Sequence, residues 1–247
     1  MSFESGGSDE IWSKVVSKRK RSKKLPAFSC ATRASVSPSR LPVTLLKEKV
    51  LAAEIEIGNS VFYSTFLETL NSCIGSQRIQ EIICYGIGSV SESVVSRFQL
   101  GFLLLLQKRL KTSTLIYDPA LTDADKSLLD EFDCRVIAEN DNAGRSVVSE
   151  TLVVFPHVPK QLINNFLSAN WFDNLSKCFL LCNSFSKINE DSTDSDLKTN
   201  FPFIFKTFDH HSEFKIVNNF RFKDIFNDLS IHTFPEVPPT VFVDSDL

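Results

Sequence analysis

The sequence predicts an α/β fold: a Rossmann-like, mostly parallel open sheet with helices on both faces and an N-terminal helical extension. An apolar run at 82–85 leads into a Gly-x-Gly turn, an apolar helical segment follows, and a second apolar run at 115–117 ends at Asp118. A parallel βαβ unit begins in this order, with a strand, a glycine turn, a helix and a second strand that ends at an acidic residue. Strand-like and helix-like segments then alternate as far as residue 182, which favours a parallel sheet covered on both faces.

The helix of this unit and the helices before it are predicted from apolar spacing. Residues 41–73 have helical spacing on both sides of Gly58-Asn59, and they predict two helices packed on the core as the extension. Ser89 and Glu92 have the spacing of a capping box, which predicts that the helix after the glycine turn starts near Val90. The apolar residues of that helix are Val94, Val95, Phe98, Phe102, Leu105 and Leu106. They cover most of its circumference, so we expect the helix to be buried against the sheet.

Shorter segments predict the rest of a single domain over residues 41–236. Further strands are predicted at 134–137, 152–155 and 178–182, and a helix is predicted at 162–171. A polar loop is predicted at 139–145, at the same edge of the sheet as the glycine turn. The polar, acidic residues 186–200 predict a loop or a mobile insertion. The Phe-rich chain from residue 201 predicts one or two further strands.

Charge is unevenly distributed along the chain. Residues 1–40 contain nine Lys and Arg and three Asp and Glu, whereas the remaining 207 residues contain 18 and 27. Because residues 1–40 have little hydrophobic periodicity, we expect a disordered basic tail there, and a loose tail at 237–247. The basic block at 18–24 is interpreted as a solvated tail, a nuclear-import patch or an arm that touches RNA.

Composition argues against two classes of partner. The apolar run at 100–106 is far shorter than the about 20 residues that span a membrane, so we expect no association with a membrane. The acidic globule lacks the clustered cations that phosphate contacts require, so nucleic acid is not expected except at residues 14–24. The six cysteines lack framework spacing and no secretion signal is visible, which predicts reduced thiols in a cytosolic or nuclear protein.

Several blocks of residues occur together between about 80 and 236. They are Cys84–Ser89 with Arg97–Leu100, Tyr117–Pro119, Phe155–Leu162 with Asn164-Asn165 and Ala169–Trp171, Cys182–Phe185, and Phe226–Asp228 with His232–Pro235. In this order they resemble the family called sensitivity to red light reduced, or SRR-like proteins. The resemblance implies a regulatory protein, linked to circadian-clock input and to the regulation of haem synthesis, in the cytoplasm and the nucleus. It implies no established reaction.

The glycine turn is the first candidate binding site. Gly86, Gly88 and Ser89 precede a helix, where free N–H groups and the positive helix end favour a phosphate or another anion. Asp118, at the end of the next strand, would accept hydrogen bonds from ribose hydroxyls, which predicts a nucleotide or S-adenosylmethionine as the ligand. The third glycine of the dinucleotide fingerprint is Ser91, however, so a turn without a ligand remains the alternative.

A second group of candidate residues follows two other predicted strands. His157 lies between two prolines at a strand end, where its near-neutral pKa would suit an acid–base group. Asn183 and Ser184 close the next strand and should lie beside it. A hydrolase built from Ser184, His157 and Asp118 lacks the Gly-x-Ser-x-Gly elbow, so a polar loop that fixes the sheet edge is the favoured interpretation.

Metal and haem sites have weak signals in the sequence. Cys178 and Cys182 are about 13 Å apart on an extended strand, which is too far to share a zinc ion. His210 and His211 are adjacent and point to opposite sides if the chain is extended, so no metal site is predicted. His157 or Cys84 as an axial haem ligand is a further alternative, although the Cys-x-x-Cys-His motif is absent.

Three hypotheses on function follow. The first is a regulator without established enzymatic activity, whose strand-end face binds a small ligand or a protein partner. The second is an enzyme that uses a nucleotide or S-adenosylmethionine, with Gly86, Gly88 and Asp118 at the cofactor and His157 acting on the substrate. The third is a protein-interaction module without a small-molecule ligand, in which the Phe-rich C-terminal segment binds the partner.

Overall fold

A seven-stranded sheet forms the centre of the protein. The computed structural model describes residues 42–172 and 174–235, so the predicted tails at 1–40 and 237–247, including the basic block at 18–24, lie outside the described residues. The strands are β1 Glu81–Tyr85, β2 Ser113–Tyr117, β3 Cys134–Val136, β4 Thr151–Val154, β5 Cys178–Asn183, β6 Ser212–Lys215 and β7 Leu229–Thr233. Their order is β3-β2-β1-β4-β5-β7-β6.

The sheet is parallel over its first five strands and antiparallel at one end. β1 pairs in parallel with β2 and β4, β3 with β2, and β5 with β4. β7 runs antiparallel to both β5 and β6. The prediction of a mostly parallel open sheet is therefore confirmed. The chain after residue 201, where one or two further strands were expected, contributes the two antiparallel strands.

Helices cover both faces of the sheet, as predicted. They are α1 Val43–Gly58, α2 Val61–Ile74, α3 Val94–Leu110, α4 Asp123–Glu131, α5 Lys160–Asn170, α6 Phe185–Glu190, α7 Asp194–Asn200 and α8 Pro202–Thr207. Apolar side chains of α1 to α4 share one core with the sheet, and those of α5 to α8 share the other. Within the described residues, no helix is both long and apolar enough to cross a membrane.

The two cores arise from the alternation of side chains along each central strand. In β1, Ile82 and Cys84 belong to the core under α1 to α4, whereas Ile83 and Tyr85 belong to the core under α5 to α8. All four side chains are 0% exposed. Since full burial of a large apolar side chain contributes about 1.5–3 kcal/mol, a central strand buried on both faces is a main source of stability.

The N-terminal helices pack on the α/β core as predicted, and one glycine allows the closest approach. A Cβ atom built on Gly101 of α3 would lie 2.8 Å from the main-chain nitrogen of Glu54 in α1. The two backbones are therefore in contact at Gly101, where any side chain would push the helices apart. Beside this crossing, Lys108 forms an ion pair with the Glu54 carboxylate.

The start of α3 corrects the prediction made from Ser89 and Glu92. The helix begins at Val94, and its N-cap is Ser93, whose side chain accepts a hydrogen bond from the Ser96 amide. Ser89 is unavailable as a cap because its hydroxyl is bonded to a carboxylate on α4. The predicted burial of the helix start was also wrong, since Val94 is 57% exposed.

The segment predicted as a loop or mobile insertion at 186–200 is instead helical. Ser184 caps α6 and Thr193 caps α7 by accepting hydrogen bonds from the main chain. Ile188 and Leu197 then point into the core, so two short helices replace the expected loop. The short helix α8 follows directly, with Pro202 at its first position.

Candidate functional site

The carboxyl ends of the parallel strands meet at one edge of the sheet, which we call the carboxyl edge. β2, β1 and β4 are neighbours in register, with Tyr85 opposite Tyr117 and Cys84 opposite Val154. The glycine turn, Asp118 and His157 each follow one of these strands, so all three lie at the carboxyl edge. Such an edge is where open α/β sheets bind their ligands.

The glycine turn is closed by hydrogen bonds within the chain. Gly86 and Gly88 have φ angles of +87° and +75°, which L side chains rarely adopt. The Gly86 amide donates to the Tyr117 carbonyl at 3.0 Å. The Gly88 amide donates to Asp118 Oδ2 at 2.6 Å. The donor that a phosphate would need at Gly88 is thus already bonded to a carboxylate of the protein.

Asp118 is positioned by the turn on one side and by its own loop on the other. Its second oxygen, Oδ1, accepts the Ala120 amide at 2.7 Å. Burial raises the pKa of the Asp118 carboxyl above its ordinary value, while the two amide donors, on Ala120 and Gly88, act in the opposite direction. Both oxygens therefore accept main-chain amides, Oδ2 from the turn after β1 and Oδ1 from the loop after β2, although a ribose hydroxyl was the expected partner.

Asp125, which the sequence analysis did not single out as a site residue, is the centre of a second group of hydrogen bonds at this turn. It is 0% exposed. Its carboxylate accepts the Ser91 amide at 2.6 Å and the Ser89 hydroxyl at 2.9 Å. It also accepts the amide and the hydroxyl of Thr122, each at 2.9 Å, in the capping box of α4. The predicted ligand residue Ser89 is thus used to attach the turn to α4.

The loop after β3 closes the other side of the carboxyl edge. The Tyr85 hydroxyl, at the end of β1, donates to Asp141 Oδ2 at 3.2 Å, and Arg145 Nε donates to the same oxygen at 3.3 Å. Burial raises the pKa of Tyr85, and the nearby Asp141 charge adds to the effect. The polar loop predicted at 139–145 therefore lies where it was expected, against the strand that carries the glycine turn.

His157 lies at the carboxyl edge in a constrained conformation. Its φ angle is +57°, in the left-handed region. Its Nε2 atom lies 3.3 Å from the carbonyl oxygen of Ile225, in the 3-10 helix Lys223–Ile225. Since a carbonyl only accepts, Nε2 is the donor, and the imidazole ties the end of β4 to the C-terminal part of the chain.

Cys84 and its surroundings leave little room for a haem group. The thiol is fully buried, and burial raises its pKa well above the ordinary value. The apolar cavity beside it has a volume of about 10 Å³. That is the space of about one water molecule, so a porphyrin at Cys84 would require the core to open.

A larger cleft lies beyond the end of β5, which we call the β5 cleft. It has a volume of about 260 Å³. Its lining residues are Lys160, Asn183, Ser184, Lys187, Ile188, Asp191, Ser192 and Asp228. The structure thus brings two predicted site residues, Asn183 and Ser184, into one cleft.

The polar groups of the β5 cleft are only partly satisfied. The Asn183 Oδ1 atom is buried and has no hydrogen-bond partner. Ser184 Oγ accepts the Lys187 amide at 3.2 Å as the cap of α6. Lys187 Nζ lies 3.6 Å from Asp191, and Lys160 Nζ donates to Ser192 Oγ at 3.0 Å. Neither lysine is predicted as a site residue from the sequence, although Lys160 directly follows Pro159 at the end of the segment after β4.

The fold and the carboxyl edge define a Rossmann-like α/β domain whose glycine turn is bonded to its own carboxylates. The SRR1 domain family matches residues 66–233, which is more than half of the chain. The chain therefore belongs to the SRR1 family, as the sequence resemblance indicated.

Curated relatives carry the same family name. The chain is 34% identical over 158 residues to Protein SENSITIVITY TO RED LIGHT REDUCED 1 of Arabidopsis thaliana, which covers 59% of this chain and 58% of that protein. It is 28% identical over 185 residues to the SRR1-like protein of Drosophila melanogaster, covering 73% of this chain and 65% of that one. The SRR1-like protein of Mus musculus is 33% identical over 132 residues, covering 51% and 53%. The chain thus spans less than two thirds of the length of each.

Among solved structures, the chain is similar to a protein of Listeria monocytogenes assigned to the class I S-adenosylmethionine-dependent methyltransferases. The TM-score is 0.41 at 12% sequence identity, and the match covers 83% of this chain and 73% of that chain. This likeness is too low to support a conclusion about activity.

Proposed function

We propose that the protein is an SRR-like regulator that acts in circadian-clock input and in the regulation of haem synthesis by binding a small polar ligand in the β5 cleft. Membership of the SRR1 family supports the regulatory part. The name of the Arabidopsis relative refers to sensitivity to red light, which supports a role in light or clock signalling.

One observation carries the ligand-binding part, namely the buried, unpaired Oδ1 atom of Asn183, a residue that lines the β5 cleft. A buried polar atom without a partner costs about 1–3 kcal/mol, and a ligand with an N–H or O–H donor would recover that energy. The same lining carries two ammonium groups, on Lys160 and Lys187, and two carboxylates, on Asp191 and Asp228, so it offers charges of both signs to a polar ligand. The volume of about 260 Å³ is below the about 300–1,000 Å³ of drug-sized sites, so the ligand is a small metabolite.

Native mass spectrometry of the full chain purified from cells tests the binding. We expect a retained small molecule on the wild type, and its loss from the variants Asn183→Ala and Lys187→Gln. Lys126→Gln changes an exposed lysine of α4, outside the cleft, and should retain the ligand. A ligand retained equally by all four proteins, or a wild type without any bound mass or saturable binding, would contradict the proposal.

The regulatory role is tested in cells that lack the gene and carry a clock reporter. We expect an altered rhythm or haem content, rescued by the wild type and by Lys126→Gln but not by Lys187→Gln. Unchanged rhythm and unchanged haem content after deletion would contradict the role itself. Rescue by Lys187→Gln would contradict only the part played by the β5 cleft.

The alternative of a nucleotide- or S-adenosylmethionine-dependent enzyme has less support from the geometry. Such a cofactor would have to displace Asp118 from the Gly88 amide, a bond of 2.6 Å. The same mass spectra separate the two hypotheses, because a retained nucleotide or S-adenosylmethionine, lost on Gly88→Ala but kept on Lys187→Gln, would favour the enzyme.

The third hypothesis, a protein-interaction module, relied on the Phe-rich C-terminal segment. Phe220, Phe226 and Phe234 of that segment are buried in the two cores, and Phe222 is 39% exposed. The three buried rings therefore stabilise the fold and are not accessible to a protein partner. A chain that carries no small molecule but co-purifies with a stoichiometric protein partner would favour this hypothesis.

A further inference from the structure

We propose that His211, Glu213 and His232 form a binding site for a divalent transition-metal ion of the zinc and iron(II) class. The three side chains lie at the antiparallel end of the sheet, where β6 and β7 pair, on the face covered by α6 and α8. One ligand atom from each residue, two imidazole nitrogens and a carboxylate oxygen, lies within 4.8 Å of the other two. In the part of the chain that the structure describes, no other group of three such residues is found.

The register of the two strands explains why these residues meet. Glu213 lies directly opposite His232 in the antiparallel pair, and directly opposed residues point to the same face of a sheet. His211 lies two positions before Glu213, so an extended chain brings it to that face as well. In the sequence His211 stands beside His210 and no metal site is predicted, because the pairing of β6 with β7 is not visible there.

The hydrogen bonds of the two imidazoles leave one bare nitrogen on each. His211 Nδ1 lies 2.6 Å from the Thr207 carbonyl, and His232 Nε2 lies 3.3 Å from the Asn183 carbonyl. A carbonyl oxygen only accepts, so in both rings that nitrogen carries the hydrogen. The remaining nitrogens, His211 Nε2 and His232 Nδ1, are buried and have no hydrogen-bond partner. A ring whose other N–H donates to a main-chain carbonyl is the usual arrangement of a metal-bound histidine.

The Glu213 carboxylate is oriented by serine residues. Oε2 accepts the Ser186 amide at 2.9 Å and the Ser186 hydroxyl at 2.5 Å, and Oε1 accepts the Ser230 hydroxyl at 2.7 Å. A carboxylate has about four lone-pair sites, and the three accepted bonds leave a lone pair of Oε1 free to bind an ion. The Glu213 carboxylate and the two bare nitrogens, His211 Nε2 and His232 Nδ1, thus face one another, and none of the three carries a hydrogen that the others could accept. A cation among them removes this mismatch.

The ligand set indicates which ions fit. Two imidazoles with one carboxylate suit Zn²⁺ and Fe²⁺, whereas Mg²⁺ and Ca²⁺ prefer oxygen ligands. Three protein ligands leave at least one coordination position open for water or another small molecule. His232 is 0% exposed, whereas His211 and Glu213 are partly exposed, which leaves them a route to solvent.

Metal titration of the full chain tests the site. The chain is treated with a chelator, dialysed, and titrated with Zn²⁺ in competition with a chromophoric chelator, and with Co²⁺ while its visible absorption is recorded. We expect one equivalent of either ion at micromolar concentration and no competition from millimolar Mg²⁺. His211→Gln and Glu213→Gln each remove a ligand atom at a partly exposed position, and we expect each to weaken Zn²⁺ binding by more than about tenfold.

His210→Gln and Glu190→Gln are the matched controls, since they change the same residue types outside the cluster. His232→Gln is kept as a secondary variant, checked for folding by circular dichroism, because the His232 ring stacks on Phe185 at a centroid distance of 3.9 Å. The proposal is overturned if the wild type binds neither ion at micromolar concentration. It is equally overturned if His211→Gln and Glu213→Gln bind Zn²⁺ as tightly as the two controls.

Discussion

Asp118 Oδ2 accepts the main-chain N–H of Gly88 at 2.6 Å, across 30 residues of sequence. The bond joins the first residue after β2 to the turn that follows β1, so the ends of two neighbouring strands are fixed to each other. In this geometry the acid at the end of β2 positions the glycine turn from inside the protein.

Replacement of Asp118 by Asn should reduce stability moderately at neutral pH. An amide retains one acceptor oxygen but places an NH₂ group against the amide of either Gly88 or Ala120. We expect the free energy of unfolding in urea to fall by about 1 kcal/mol. Asp130→Asn, an exposed position on α4, should change it by less than about 0.5 kcal/mol.

The pH dependence of that difference is a separate prediction. Because burial raises the pKa of Asp118, the folded protein binds a proton on this group more tightly than the unfolded chain. The resulting stabilisation is complete below the unfolded pKa and is lost as pH rises through the folded pKa. The stability gap between wild type and Asp118→Asn should therefore widen as pH falls from neutral into the acid range. A gap that narrows on acidification would contradict this prediction.

Asp125→Asn should be more destabilising than Asp118→Asn. The buried carboxylate accepts hydrogen bonds from Ser89, Ser91 and Thr122, and an amide can accept only a part of them. Bonds to a charged acceptor contribute about 1.5–3 kcal/mol, so we expect a loss of at least about 2 kcal/mol in urea unfolding. Hydrogen exchange should show early opening of residues 89–93 in this variant. Unchanged exchange of that segment would show that Asp125 does not attach the turn to α4.

Local patterns were sufficient to predict the βαβ unit, because a strand, a glycine turn and a buried helix each have a signal within a few residues. They failed at Ser89, where the capping-box spacing with Glu92 competes with a hydrogen bond to Asp125, 36 residues away. The capping-box rule considers only residues within one helical turn, so it cannot include Asp125, which approaches Ser89 only in the folded chain. In the folded chain Ser89 bonds to α4, and Ser93 caps α3 at Val94 instead.

Gly101→Ala should destabilise the packing of α1 on α3. The added Cβ would lie 2.8 Å from the Glu54 main-chain nitrogen, and backbone cannot rotate away as a side chain can. We expect a loss of about 1–3 kcal/mol in urea unfolding, although alanine is the better helix former. Gly58→Ala is the matched control, since its Cβ would be in ordinary contact with Leu105 at 3.4 Å. It should be neutral or slightly stabilising. Equal effects of the two variants would exclude the close helix approach as the cause.

Thiol labelling should separate Cys73 from the other cysteines of the described residues. Cys73 is half-buried, and burial raises its pKa to about 11. Cys84 and Cys182 are fully buried, and burial raises the pKa of each thiol well above its ordinary value. With iodoacetamide and peptide mapping by mass spectrometry, Cys73 should react first among these three, with a rate that rises about tenfold per pH unit between pH 7 and 9. Cys84 and Cys182 should react only in denaturant, and labelling of Cys84 as fast as Cys73 would contradict the buried position of β1.

The C-terminal half of the domain was the least predictable part. Ser184 and Thr193 are good helix caps, but α6 and α7 are so short that no apolar period forms around Ile188 and Leu197. The cluster of His211, Glu213 and His232 depends on the register of β6 against β7, which is a long-range property. Residues that meet across strands far apart in sequence carry no local signal of their meeting.

The position of β7 between β5 and β6 has a consequence for how the protein is synthesised. β6 leaves the ribosome before β7, yet β7 is its neighbour in the sheet, so β6 stays unpaired until residues 229–233 have emerged. In a nascent or prematurely terminated chain, β5 would then be an edge strand whose unpaired N–H and C=O groups can pair with strands of other molecules. Nonsense mutations shortly before residue 229 should therefore yield insoluble protein rather than a smaller working version.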